Sequence, residues 1–412
     1  MTDTEEETAA DEAFRTDVRA FLEAHAKPRQ GFGDTTITLG STDTSKEAEH
    51  EHIERCRDWQ RTLFENGWAG ITWPTEYGGR GGSGRQARIY AQEEVKFDVS
   101  AAVFQIGIQM VGPTIMAHGT DEQKAFFLPR MLSGDDIWCQ LFSEPGAGSD
   151  LAGMTTSAVR DGDEFVVNGQ KVWTSGAHFS NYAMLLARTD WDVPKHRGIT
   201  YFLLDMNTPG IEVRPLRQIT GFAHFNEVFL TDVRVPAENV LGGLNNGWMV
   251  AQTTLANERN MIGSGGTGIT FGAILRLARE CAMTGDATTR QELAKCYTRF
   301  EILKWLGLRA RARAAAGQKL GPEASVMKLF VSQRIARDGD LVLSMEGPYG
   351  MLRGTDTVQN GMWQQVFLNQ WSIRIGGGTE QIQRNVLGER VLGLPGDIRV
   401  DKDVPFREIP RN

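Results

Sequence analysis

"CQLFSEPGAGSDL", residues 139–151, is where the chain changes character. A mostly apolar strand, Cys139 to Phe142, ends in a turn built from Pro145, Gly146 and Gly148, with Ser149 and Asp150 behind it. Upstream, apolar residues recur at helical spacing: Phe14, Val18, Phe21 and Leu22 share one helix face. Downstream, they alternate as in strands. The stretch therefore marks the passage from a helical unit into a β unit. Its small residues let backbone N–H groups approach a ligand, and Ser143 and Ser149 add hydroxyl donors. On spacing alone, a Gly/Pro turn between domains explains the same residues equally well.

Working outward, helices are expected at about 45–66, 85–97, 99–118 and 121–133, with a polar stretch at 28–44 and a turn-rich connection, "GWAGITWPTEYGGRGGSG", at 67–84. On the other side, "EFVVNGQKVWTSG" (164–176) alternates, and Asn168-Gly169 reads as a hairpin turn. "YAMLLART", "ITYFLLDM", "IEVRPL" and "NEVFLTDVRVP" are further strands. From Gly247 the pattern is helical again, over about 247–283, 288–317, 323–346 and 363–390. Long helices in sequence suggest a bundle. The expected architecture is α+β and multidomain: a helical domain (1–136), a β domain (137–245) and a helical bundle (246–412). No GxGxxG opens a helix after a strand, so a nucleotide-binding parallel sheet is not indicated.

The bulk numbers agree with two or three domains. The chain has 412 residues, 41% hydrophobic and 23% charged, which is ordinary for a globular protein. A net charge of −8 argues against nucleic acid as a partner. Cys56, Cys139, Cys281 and Cys296 are widely spaced, without metal-type spacing, and read as reduced thiols. The longest apolar run, Ala101 to Ala117, is interrupted by Gln105 and Gln109 and reads as a core helix, not a membrane span. The acidic start shows no signal peptide, so a cytoplasmic location is expected.

Three more constellations could carry chemistry. In "QKVWTSGAHFSNY" (170–182), Trp173 sits beside Thr174 and Ser175; it could pack on a flat cofactor, although a strand Trp is more often core. In "TTLANERNMIG" (253–263), Glu258 falls on the apolar helix stripe of Ala251, Leu255 and Ile262. Burial there would raise its pKa and make it a better base. The plain alternative is an acid paired with a neighbouring arginine or turned to solvent. In "SIRIGGGTEQIQRN" (372–385), three glycines permit close approach, and Thr379 can cap the helix that follows, whose N-terminus favours an anion. A helix entered through a flexible turn is the simpler reading.

Together these stretches resemble the acyl-CoA dehydrogenase family. "WPTEYGG", "GTDEQKAFFLPRMLSGDDIWCQLFSEPGAGSDLAG", "VNGQKVWTSGA", "FNEVFLTDVRVP" and "GGGTEQIQRNVLGERVLGLP" look like its motifs in its order. The resemblance implies an N-terminal helical domain, a β-barrel-like middle domain and a C-terminal four-helix bundle. It also implies FAD, oxidation of an acyl-CoA thioester to the trans-2-enoyl-CoA, and electron-transfer flavoprotein as acceptor. A tetramer is implied as well, homomeric or heteromeric, in which a neighbour completes each flavin site. In the family, a carboxylate base takes the α proton while flavin N5 takes a hydride from the β carbon.

Carried onto this sequence, the likeness puts the segment from Gln140 through Phe142, Ser143 and Gly148 to Ser149 against the flavin, with Ser149 also near the CoA chain. Trp173, Thr174 and Ser175 should border the flavin ring. Gly378, Thr379 and Gln381 should meet it from the bundle side, and Gly347, in "SMEGPYGML" (344–352), is a further contact. Arg259, Gly376 and Gly377 fall on the substrate side. Many members read Tyr-Glu-Gly-Thr where this chain reads Gly376-Gly377-Gly378-Thr379, and that Glu is their base. Here it is Gly377. A minority resembling isovaleryl- and long-chain-type enzymes carries the base on the first long bundle helix, before an arginine, as in Glu258-Arg259. Glu258 is therefore the expected base, and the emptied volume beside the acyl chain suits a bulky, branched or ring-bearing group. The family's Arg-x-x-Phe grip on a neighbour's FAD is missing from 280–292, where only Arg290 is available. Two other readings stay open: a flavin-binding subunit of a mixed tetramer, and a related flavin monooxygenase, which needs no α-proton base.

Overall fold

The computed structural model describes residues 8–29, 45–264, 269–316, 318, 321, 324–398 and 401–410; most of the polar stretch expected at 28–44 lies outside them. The chain begins with α1 (Ala9–His25), α2 (Lys46–Glu65), α3 (Gly84–Glu94), α4 (Gly112–His118) and α5 (Asp121–Ser133). Local sequence explains their starts. Ser83 and Gln86 form a capping box for α3, and Thr120 and Gln123 form one for α5. Gly134, at φ 84°, takes the left-handed turn that ends α5. The helix expected over 99–118 is composite. A 3₁₀ turn at Ala102–Phe104 and a π segment at Gly107–Val111 precede α4. Gly107 and Gly112 allow this: an added Cβ would lie 3.3 Å from Trp138 and 2.3 Å from Trp73 respectively.

The middle region forms one sheet from β1 (Trp138–Leu141), β2 (Ser157–Asp161), β3 (Glu164–Ser175), β4 (Tyr182–Arg188), β5 (Ile199–Asp205), β6 (Ile211–Leu216), β7 (Phe225–Pro236) and β8 (Val240–Leu241). The order is β6-β7-β3-β2-β4-β5-β8, with β1 parallel to β4. Strand alternation divides two cores. Cys139, Leu141, Leu185, Phe202, Val228 and Val233 pack inside the sheet. Trp138, Met184, Leu186, Tyr201 and Leu203 face the helices. The sheet curls: Phe165 on β3 meets Phe202 on β5 at 5.2 Å, although two strands lie between them.

The expected hairpin turn at Asn168-Gly169 is absent. β3 runs straight through it with a bulge, and the β2–β3 turn is at Gly162. Gly169 is required by proximity, since a Cβ there would lie 2.4 Å from Thr156 Oγ1. Asn168 is occupied across the sheet, accepting from Asp232 N at 2.9 Å and donating to Asp232 Oδ1 at 3.0 Å.

The last part is helical: α6 (Gly247–Ser264), α7 (Phe271–Glu280), α8 (Ala287–Ala315), α9 (Ala324–Glu346), α10 (Met362–Ile375) and α11 (Glu380–Val386). The single helices expected over 247–283 and 363–390 are each two. The second pair is divided by Gly376–Gly378, where Gly377 and Gly378 take φ of 64° and 88°. No helix among the described residues is long and apolar enough to cross a membrane.

Candidate active site

Glu258 lies on α6 where all three regions meet. Ala251 and Thr254 on the same helix face are fully buried, Leu255 is half-buried, and the side chain of Ile262 lies outside the described residues. Gly247 lets the helix start against β5: a Cβ would lie 2.5 Å from the Thr200 backbone. One turn before Glu258, Thr254 Oγ1 sits 3.1 Å from Thr114 Oγ1 of α4 and 3.2 Å from the Tyr201 hydroxyl of β5. This buried hydroxyl junction fixes the register of α6 against the other two regions.

Glu258 itself is half-buried. Gln140, on the helix-facing side of β1, donates from Nε2 to its Oε2 at 3.5 Å. Burial pushes the Glu258 carboxyl above the ordinary range, against the opposing pull of Gln140, Arg259 and Lys328. That is the environment of a carboxylate eager for a proton. Arg259 is exposed beside it.

The turn after β1 is held by a pair that sequence reasoning missed. Glu144 is buried and accepts from Lys171 Nζ at 2.8 Å, Thr155 N at 2.7 Å and Thr156 N at 2.9 Å. Lys171 also donates to the Phe142 carbonyl at 3.1 Å. Burial alone would raise Glu144; Lys171 and the hydrogen bonds outweigh it and hold the carboxyl down at about 2. The signal for Lys171 is its even spacing from the inward residues Phe165 and Val167, but its partner lies 27 residues away. This pair anchors Ser143, whose carbonyl accepts from Val172 N at 2.9 Å. Ser143 is thus brought beside the second constellation.

There β3 bulges, and Trp173 takes a left-handed φ of 63°. The indole is turned out of the sheet and is 61% exposed, so it is not a core residue. Thr174 is buried with its Oγ1 lacking a partner, and Ser175 is half-buried. Gly148 and Ser149 are exposed, with open space above Gly148. The Phe142 side chain belongs to the core, edge-on to Tyr201 at 5.9 Å, and leaves only its backbone for any ligand.

From the bundle side come Gly376, Gly377 and Gly378. Thr379 caps α11 by accepting from Ile382 N at 3.2 Å; Gln381 is exposed. The first turn of α11 carries its own acid, buried Glu380, paired with Arg374 at 2.8 Å. Gly347 does not join the group. It follows the end of α9, about 28 Å of helix from Lys328 near its start. Arg290 lies at the start of α8 and is exposed. Among the described residues, no cluster of three or more His, Cys, Asp or Glu could hold a metal.

Family models of acyl-CoA dehydrogenase match the chain in three stretches: the N-terminal domain over 8–135, the middle domain over 139–233 and the C-terminal domain over 245–392. Acyl-CoA dehydrogenase IpdE1 of Mycobacterium tuberculosis is 38% identical over 364 residues, covering 85% of this chain and 91% of that protein. Among solved structures, the Tcur3481-Tcur3483 steroid ACAD is 29% identical with a TM-score of 0.77, covering 95% of this chain and 99% of that one. The ChsE4-ChsE5 complex from Mycobacterium tuberculosis is 29% identical with a TM-score of 0.76, covering 96% of this chain and all (100%) of that one.

Proposed function

The chain belongs to the acyl-CoA dehydrogenase family, and we propose that it removes hydrogen across the α and β carbons of an acyl-CoA thioester with Glu258 as the α-proton base. Relatives such as IpdE1 are named acyl-CoA dehydrogenases. The observation that carries the proposal is the half-buried carboxyl of Glu258 at the junction of three regions, hydrogen-bonded by Gln140 and raised by burial. A raised carboxyl takes a proton more readily, and its half-exposed side leaves room for the donor.

The turn after β1 and the bulge of β3 suit FAD. The unpartnered Thr174 Oγ1, the outward Trp173 and the open glycine turn at Gly146 and Gly148 offer a polar edge, a flat face and close backbone approach. Gln140, Ser143, Gly148, Ser149, Trp173, Thr174 and Ser175 would hold it from the sheet side, the Phe142 backbone with them, and Gly378, Thr379 and Gln381 from the bundle. When bound, FAD supplies the acceptor for the β hydride. Glu258 holds the α proton at its carboxylate. Gly376 and Gly377 bear no side chain to fill the acyl end, and Arg259 flanks the entrance. This favours a bulky or ring-bearing acyl group, in line with the steroid ACAD among the similar structures. Electron-transfer flavoprotein is the proposed acceptor. Gly347, too far from this group within one chain, would meet the flavin of a neighbour in a homo- or heterotetramer; two of the similar structures carry paired chain names.

The test is anaerobic titration of the purified flavoprotein with a panel of acyl-CoAs. Bulky acyl-CoAs should bleach the flavin, and Glu258→Gln should slow bleaching by about 10²–10⁴-fold. Unslowed bleaching in Glu258→Gln would overturn the base assignment. A preference for short straight chains would overturn the substrate class. A chain that carries neither flavin nor activity alone needs a second subunit.

A further inference from the structure

Asn226, near the start of β7, is fully buried, and the reading above does not use it. It stands opposite Thr174 in the β3–β7 pairing, at the end of the bulge between Lys171 and Thr174. Its Nδ2 donates to the Thr174 carbonyl at 2.9 Å and to the His224 carbonyl at 3.2 Å. With the amide nitrogen committed to two carbonyls, the amide oxygen has to accept. The hydrogen-bond network therefore puts a proton on His178 Nδ1, 3.1 Å from Asn226 Oδ1. The other ring nitrogen of His178 lies 3.1 Å from Glu49 Oε2 on α2. Asn226 is thus braced from the helical region and in turn holds the bulge.

The bulge needs such a hold. A left-handed φ is a strained state for a tryptophan and persists only where the surroundings impose it. The ladder is interrupted there: register shifts between Lys171 and Thr174, and Val172 N turns to the Ser143 carbonyl at 2.9 Å. Pairing resumes at Thr174, where the Asn226 side chain takes the carbonyl. The Thr174 backbone is fixed by that contact, while its buried Oγ1 has no partner among the described residues. Rotation of the 173–174 peptide would move that hydroxyl and the exposed indole together.

We propose that Asn226 is a positioning residue of the flavin site: it locks the Trp173–Thr174 bulge in the one conformation that offers both the indole and the Thr174 hydroxyl to the cofactor. This rests on the reading that the bulge faces FAD. Asn226 acts through the Thr174 backbone and touches no ligand itself. An amide suits the task, because one end donates twice to carbonyls while the other accepts from an imidazole. A serine has one proton to give, and an ionised aspartate has none.

The test uses Asn226→Asp, of the same shape without the donors, and Asn226→Leu, which fills the site without a buried acid should the first variant not fold. Asn168→Ala is the comparison, since the Asn168 amide also ties β3 to β7, through Asp232, away from the bulge. The FAD dissociation constant, the visible circular dichroism of the bound flavin and the urea midpoint are followed in the flavin-loaded protein, with a second subunit where one is needed. The Asn226 variants should raise the dissociation constant about tenfold and alter the flavin dichroism. Asn168→Ala should lower the urea midpoint and leave both flavin readouts in place. Lost stability in the Asn226 variants with an unmoved dissociation constant and dichroism makes Asn226 purely structural and overturns the proposal. Thr174→Val tests the reading beneath it: unchanged flavin readouts there would take the cofactor away from the bulge, whatever Asn226 does.

Discussion

Glu144 in the middle region and Glu258 on α6 are both glutamates enclosed by protein, and their surroundings drive them in opposite directions. Glu144 has a lysine at 2.8 Å and backbone donors on both oxygens, so it stays charged. Glu258 has a side-chain amide at 3.5 Å and cations acting only at longer range, so burial prevails and the carboxyl is raised. Glu144 is the more covered of the two and still stays charged, so the donors set the direction. A fully paired acid shapes a loop; an under-paired one is left able to take a proton.

The contrast can be broken by giving both acids the same substitution. Glu144→Gln should destabilise the fold by about 3–5 kcal/mol, because it strands the buried Lys171 ammonium. Glu258→Gln should leave stability unchanged or improve it, since it removes a poorly compensated charge. Equal losses in urea denaturation would end the distinction. The pH dependence sharpens it. Glu144 titrates at about 2 in the folded chain against 4.5 normally. Its folded value is depressed, so its contribution is present above about 4.5 and is lost as pH falls toward 2. That part of the acid slope should vanish in Glu144→Gln. Smaller effects test the scaffolds. Thr254→Val should cost about 1–2 kcal/mol, by leaving Thr114 and Tyr201 a partner short. Thr379→Ala, which uncaps α11, should cost about 1 kcal/mol, read as a lowered Tm.

Much of this was legible in local sequence. Helical periodicity marked α3 and α5 to within a few residues, and the spacing of Ala251, Leu255 and Glu258 put the acid on the covered face of α6. What failed depended on distant partners. Asn168-Gly169 has turn composition, but its glycine answers to Thr156 and its asparagine to Asp232. Lys171 has no partner within reach along the chain, and only the fold supplies Glu144, 27 residues away. Turns and periods are properties of neighbours in the chain, whereas buried charges are chosen by neighbours in space.

The three hydroxyls centred on Thr254, with Thr114 and Tyr201 on either side, draw one member from each of the three regions. The consequence concerns modular exchange. A chimera that borrowed its middle region from a relative with phenylalanine for Tyr201 would take away one of the two hydroxyls on Thr254 and leave a gap behind α6. Successful shuffling at this crossroads would have to move the three positions as a set.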